Sequence, residues 1–430
     1  MAHAVAMECR DIQPHEITSL QVVEKLLPWR EQLASCFGTS HGNAQLELID
    51  VLIVLLAAFY NPMVRSQRLI EALSSQGWMQ QQTGLARIAR STLSDALRRF
   101  DPQQLKPLIR NLSSRVARLE QRDPDLAALT RQVIAADGSY FNLAGEVLGA
   151  LTCRRGNGMT PQSRVRLDLQ LDVDSFTLAQ GHVSGKEAGS EPAALMDHLR
   201  SGAIYLVDRL YVHFGFLNRV LEKGSSFVVR LKKDTGFAPA EDLPLHARDK
   251  EQSVRLDQKG HLCGPVSPGN KGRASRTGRP PSQMLRRVVL WDSVKNQQVV
   301  LLTDLLDVPA YVISVLYRKR WLIELFLRFL KCTAAMDHLI SKSRQGITLQ
   351  LYVAMIATLL LHLATGKRVS KYSLFWLNSV ATGQATWEQM QERLARVERE
   401  KALARQRKNR KRLALPSASA KDLATALACL

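Results

Sequence analysis

The chain has 430 residues, which excludes a single ordinary domain and points to two or three. Its 59 Lys and Arg against 39 Asp and Glu give a formal net charge of +20, while 46% of its residues are hydrophobic. That pairing excludes a disordered basic tail and describes a folded protein with a cationic surface. Such a surface fits a polyanion, nucleic acid ahead of an anionic membrane.

Residues 1–130 read as helical throughout, with apolar runs at helical spacing and short polar connections. The N-terminal stretch MAHAVAMECRDIQPHE lacks an apolar segment after a basic start, so no secretory signal is expected and a cytoplasmic location is. Six scattered cysteines without a C-x-x-C pair agree with reduced thiols and argue against a zinc site. The apolar runs 51–60 and 351–365 fall short of the roughly 20 residues a bilayer needs, so both read as buried core helices. Within the helical region, residues 86–100 (ARIARSTLSDALRRF) show a capping-box start from Thr92 to Asp95. With Arg90, Arg98 and Arg99 this segment is a candidate helix-turn-helix reader of DNA, or else a plain helical hairpin.

The texture changes at Gln132. VIAAD (133–137) is an apolar run expected to end as a strand at Asp137, with a turn at Gly138 and Ser139. In RVRLDLQLDVDSF (164–176) Val165, Leu167, Leu169, Leu171 and Val173 alternate with polar residues, the pattern of a half-buried antiparallel strand. A further strand over 177–184, a loop at 185–192 and a helix around 193–199 follow. AIYLVD (203–208) is again an apolar run released at an aspartate, Asp208, followed by a helix near 213–223 and a strand SFVVRLKK (226–233). Two buried strands that each release an aspartate at the C-terminal end can place both carboxylates in one crevice, where open α/β sheets collect ligands. Taken singly, each aspartate could equally be a turn or N-cap residue.

Residues 235–305 interrupt this pattern. The stretch 264–283 (GPVSPGNKGRASRTGRPPSQ) reads as a flexible basic loop carrying Lys271, Arg273, Arg276 and Arg279 without an acid. SVRLD (253–257) and the pair LRRVVLWD and QQVVLLTD (285–304) flank it as strands. Trp291 reads as a packed strand residue. Cations in such a loop suit a DNA backbone, because each one that neutralises a phosphate releases counterions.

Residues 311–335 (YVISVLYRKRWLIELFLRFLKCTAA) read as one long helix. At about 100° per residue, Tyr317, Arg320, Glu324 and Lys331 fall within a sector of roughly 60°, with Arg328 beside them. The opposite arc is apolar. Glu324 and Arg328 could form a simple i, i+4 surface pair; the two upstream aspartates weigh against that. A buried helix over 349–365 follows, and 401–412 (KALARQRKNRKR), helical or disordered, has a run of cations without an acid, suited to clamping DNA nonspecifically or else a solvated basic tail.

Asp137, Asp208 and Glu324 form a set of hard oxygen donors suited to Mg²⁺ or Mn²⁺. Two such ions would activate a water or a 3′-hydroxyl and stabilise the leaving oxygen of a phosphodiester displacement. Arg320, Lys331 and Arg328 would then hold phosphates, and Tyr317 would stack or hydrogen-bond.

The spacing Tyr317-x2-Arg320-x3-Glu324-x6-Lys331 resembles the Y-R-E-K motif of bacterial insertion-sequence transposases of the "insertion sequence four" group, which are DDE transposases. Asp137-Gly-Ser is similar to that family's first catalytic aspartate, and Asp208-Arg-Leu-Tyr211 to its second, with Leu210 where a Gly is usual. FVVRLK (227–232), including Arg230, and LISKSRQGITLQLYVAMIATLLL (339–361) are also similar to family sequence. The likeness covers roughly residues 45–365; region 140–163 matches poorly.

The resemblance implies an α/β fold: a ribonuclease H-like mixed sheet with flanking helices, a β-rich insertion before the last catalytic acid, and an all-α N-terminal domain. The corresponding divisions are 1–130 (helical, DNA-binding), 131–234 (first part of the core), 235–305 (insertion), 306–370 (rest of the core) and 371–430 (helical basic tail). It also implies two Mg²⁺ or Mn²⁺ ions at Asp137, Asp208 and Glu324, and DNA contacts from Tyr317, Arg320, Arg328, Lys331 and Arg230. The implied partners are terminal inverted repeats, target DNA and a second copy of the chain in the DNA complex, in the nucleoid-containing cytoplasm and with no membrane.

Overall fold

The computed structural model describes residues 46–60, 64–77, 80, 85–117, 123–127, 129–142, 151–153, 162–185, 189–232, 235–265, 279–293, 295–328, 330, 339–366, 369–381 and 384–414. Lys331, the loop cations Lys271, Arg273 and Arg276, and the expected helices of 1–45 lie outside these residues.

Every described element before Val133 is helical: α1 (Leu48–Tyr60), α2 (Gln67–Ser74), α3 (Arg90–Arg99) and α4 (Lys106–Ala117), with short 3₁₀ turns between and after. α1 is buried along nearly its whole length. α3 buries Leu93, Ala96 and Leu97 and exposes Arg90, Arg98 and Arg99. Its start differs from the expectation: the N-cap is Ala89, without a side-chain bond, so Thr92 lies inside the first turn instead of capping it.

The ten-stranded sheet consists of β1 (Val133–Asn142), β2 (Leu151–Cys153), β3 (Gln162–Asp172), β4 (Thr177–Ser184), β5 (Ile204–Val207), β6 (Ser226–Arg230), β7 (Thr235–Asp242), β8 (Val254–Pro265), β9 (Leu285–Asp292) and β10 (Gln297–Thr303). The order is β2-β3-β1-β5-β6-β10-β9-β8-β7, with β4 also paired to β3. At its centre β1, β5 and β6 are parallel, while β3 and β10 flank them antiparallel. The strands of 235–303 thus continue the central sheet through the β10–β6 pairing.

Parallel strands covered on both faces are apolar at every position, and all four residues of β5 are buried. Val133, Ala135, Ile204, Leu206 and Val228 face one core, shared with α1 and the C-terminal helices. Ile134, Ala136, Tyr205, Val207 and Phe227 face a second, closed by α5 (Glu191–Met196) and α6 (Phe214–Glu222) through Leu195, Phe216, Leu217 and Val220. The alternation in β3 suggested one solvated face. Instead Arg166 is 1% and Gln170 3% exposed, because the segment running into and through α5 covers that side too.

A short α7 (Ala247–Glu251) precedes β8, and the helix expected over 311–335 is two, α8 (Ala310–Lys319) and α9 (Trp321–Arg328), with 329 and 331–335 outside the described residues. At the junction the Arg320 N–H donates to Tyr317 O and the Ile323 N–H to Arg320 O, a three-residue spacing that tightens the turn. α10 (Arg344–Thr365) is capped by Ser343, whose Oγ accepts from Gly346 N, and ends at Gly366 in the left-handed conformation (φ 64°). At 22 residues α10 is long and apolar enough to cross a membrane, yet 83% of its most apolar window is buried inside the protein. α11 (Lys371–Ala381) and α12 (Trp387–Ala414) complete the described chain, and the basic run 401–412 lies within α12.

Candidate active site

β1 does not stop at Asp137 as the sequence suggested. It runs on to Asn142 because β3 pairs with it all the way, Asp137 opposite Leu169 and Gly138 opposite Asp168. What ends near Asp137 is the other neighbour. β5 pairs with β1 only as far as Ala135 opposite Leu206, and turns away at Asp208. Asp137 and Asp208 each stand two residues past that last pair, so they lie level on adjacent parallel strands. Strand alternation sends Asp137 to the face of Val133 and Ala135, and Asp208 to that of Ile204 and Leu206. Both therefore point towards the layer that contains α8 and α9.

Local bonds fix the two carboxylates. Asp208 caps the turn Arg209–Tyr211, its Oδ1 accepting from Leu210 N at 2.7 Å. Leu210 itself is 49% exposed, so a side chain in place of the usual Gly is accommodated by pointing outwards. Asp137 Oδ1 accepts from Gly138 N at 2.9 Å. Burial pushes the Asp137 carboxyl up to about 6; the Gly138 N–H and Arg320 oppose the rise, and Asp208 and Glu324 add to it.

Glu324 lies in the first turn of α9 and is ion-paired to Arg320, Oε1 to Nη1 at 2.6 Å. It therefore pairs with Arg320, not with Arg328. Arg320 also places its guanidinium 5.4 Å from the Tyr317 ring centre, and its Nε is buried without a partner. Tyr317 is pushed up by burial, opposed by Arg320 and Arg230 and assisted by Asp208, so the end of β6 and the end of α8 share one electrostatic neighbourhood with the aspartates. Arg328 is exposed and lies 5.5 Å from the ring of Trp321.

Carboxylates as the shared acids suit a hard divalent cation. The Asp137 carboxyl is raised mainly by burial and further by Asp208 and Glu324, and a bound cation would relieve both effects. Among the described residues no three acidic, imidazole or thiol groups are placed to hold one ion together as they stand. Glu324 is engaged by Arg320 instead.

Three neighbours escaped the sequence reading. Glu191, at the start of α5, is 9% exposed, and burial pushes its carboxyl up to about 7, Asp137 adding and Arg166 opposing. The readable trace of it is Gly138: a Cβ there would meet Glu191 Cδ at 2.6 Å, and a glycine inside a strand often marks a close approach. Arg166 is buried and donates to Asp168 Oδ1 and Gly189 O, both at 2.8 Å, tying the segment before Glu191 to β3. Trp321 is 44% exposed and one helical turn from Glu324.

The family model described as the Transposase DDE domain matches residues 129–360. A Sinorhizobium fredii protein named transposase y4zB is 28% identical over 173 residues, 39% of this chain and 44% of that one. A Geobacillus stearothermophilus protein named transposase for insertion sequence element IS5377 is 24% identical over 163 residues, 37% of this chain and 38% of that one. The match thus spans less than half the length of either relative. A cryo-EM structure of the piggyBac transposase synaptic complex with hairpin DNA aligns over 90% of this chain and 83% of its own, at 12% identity and a TM-score of 0.35, too loose for inference. With the model covering more than half of its residues, from just before β1 through most of α10, the chain belongs to the Transposase DDE domain family.

Proposed function

We propose that this protein is a DNA transposase that cuts at the ends of an insertion sequence and joins the resulting 3′-hydroxyls to target DNA. Asp137, Asp208 and Glu324 form its acidic centre. The observation that carries the reading is the level placement of Asp137 and Asp208 at the end of the β1–β5 pairing, facing the layer of α8 and α9. The antiparallel β4-β3-β1 edge joined to parallel β1-β5-β6 supports a ribonuclease H-like core.

Asp137 and Asp208 would hold Mg²⁺ or Mn²⁺, with Glu324 completing the set once it leaves Arg320. When bound, the ions supply charge neutralisation and an activated oxygen nucleophile. The chain's own residues do the rest. Arg320, released from Glu324, is free for a phosphate, and Tyr317 and the exposed Trp321 offer ring faces to an unpaired base. Arg230 adds a cation beside the acids, which on their own would repel DNA, and Arg328 and Lys331 are further candidates to hold phosphates. Two ends must be brought together, so the working assembly is a dimer on DNA, in the nucleoid-containing cytoplasm. The Y-R-E-K residues support membership in the "insertion sequence four" group.

The test is cleavage and strand transfer on DNA carrying the element's terminal repeats, with Mg²⁺, for wild type and Asp137→Ala, Asp208→Ala and Glu324→Ala. Wild type cuts and joins, and each variant loses both steps. Full activity in any of the three would remove that residue from the centre.

A further inference from the structure

Beyond Asp137, β1 continues with β3 on one side and no β5 on the other, so the sheet opens at the level of the two aspartates. α8 and α9 lie over one face of that opening and α5 over the other. Glu191, in the first turn of α5, lies across Gly138, with Cδ, Cγ and Oε2 within 2.6–2.9 Å of where a Cβ would stand. It is 9% exposed, and its carboxylate makes no hydrogen bond or ion pair among the described residues. The nearby cation Arg166 is spent on Asp168 and on the Gly189 carbonyl. A carboxylate this enclosed, beside Asp137 and without a protein partner, would be stabilised by a cation held between the two.

Resting on the acidic centre proposed above, we infer that Glu191 is a fourth carboxylate of that centre, reaching through the opening from the opposite layer to hold a divalent cation bound at Asp137, directly or through its water. The three sequence-legible acids then come from one side and Glu191 from the other. Gly138 is required because a side chain there would displace Glu191. Arg166 and the Ser190 cap, whose Oγ accepts from Ala193 N, set the position of α5 and hence of Glu191.

The test is Mn²⁺ binding to the full chain without DNA, by calorimetry and by the metal-induced rise in Tm. It compares wild type, Glu191→Gln, Glu191→Ala and Asp137→Asn, with the metal-free Tm of each variant as the folding control. Wild type binds, Asp137→Asn abolishes binding, and both Glu191 variants bind about 10–100-fold more weakly, as loss of a supporting ligand does. Because Glu191→Gln keeps the shape, its metal-free Tm stays at or above wild type while affinity falls. Wild-type affinity in both Glu191 variants alongside loss in Asp137→Asn would overturn this inference and leave the acidic centre standing. Absence of binding in wild type, or unchanged binding in Asp137→Asn, would overturn the centre and Glu191's role with it.

Discussion

Replacing Asp137 by Asn should make the metal-free protein more stable at pH 8 while abolishing its chemistry. In the folded chain the carboxyl is raised from 3.8 to about 6, mainly by burial and then by Asp208 and Glu324. In the unfolded chain it returns to the ordinary value. Between those two pH values the folded state holds a proton that the unfolded state has lost, so rising pH favours unfolding. Above about pH 6 the charged form carries a penalty of about 3 kcal/mol, less where the neighbouring acids titrate together. Asn removes that charge and keeps an oxygen to accept the 2.9 Å bond from Gly138 N. Thermal unfolding in chelator, at pH 8 and at pH 4, reads the effect directly. The variant should melt a few degrees above wild type at pH 8, and the gap should close towards pH 4. A variant no more stable than wild type at pH 8, or equally favoured at both pH values, would refute the electrostatic account.

Two further outcomes follow, one from the packing before α8 and one from the site. Arg286 and Asp257 form an ion pair with side chains 5% and 2% exposed, and Arg286 also donates to the carbonyls of Leu305, Leu306 and Val308 just before α8. Arg286→Ala should cost about 3–5 kcal/mol in urea unfolding because Asp257 is left buried and charged, whereas Arg286→Met with Asp257→Leu should recover most of it. A loss below about 1 kcal/mol in the single variant would mean that the pair does not hold this junction. Arg320→Ala should weaken binding to the element's end and lower the salt slope by about one phosphate contact; an unchanged slope would count against that contact.

The acids of the proposed centre stand out in the sequence because each is marked locally. Asp137 and Asp208 follow apolar runs of strand length, and Glu324 sits beside cations on an amphipathic segment. The β9–β10 hairpin and the buried α10 were legible for the same reason: apolar pattern and turn residues lie close together along the chain. What the pattern left open depends on partners distant in sequence. β1 runs past Asp137 because β3 pairs with it, and the β-rich region extends the central sheet because β10 finds β6. Arg166 looked like the solvated side of an alternating strand, and only the segment around α5 buries it. Arg320 read as a phosphate-holding cation on one continuous helix, but it falls where the three-residue bonding divides α8 from α9, and its guanidinium takes Glu324. Glu191 carried no signal of its own beyond the glycine it lies against. Sequence alone therefore determined which acids are available and on which kinds of element they stand. The tertiary structure decided that two of them stand level, where β5 stops and β1 continues. An opening at the end of a strand pairing is a property of neither strand by itself.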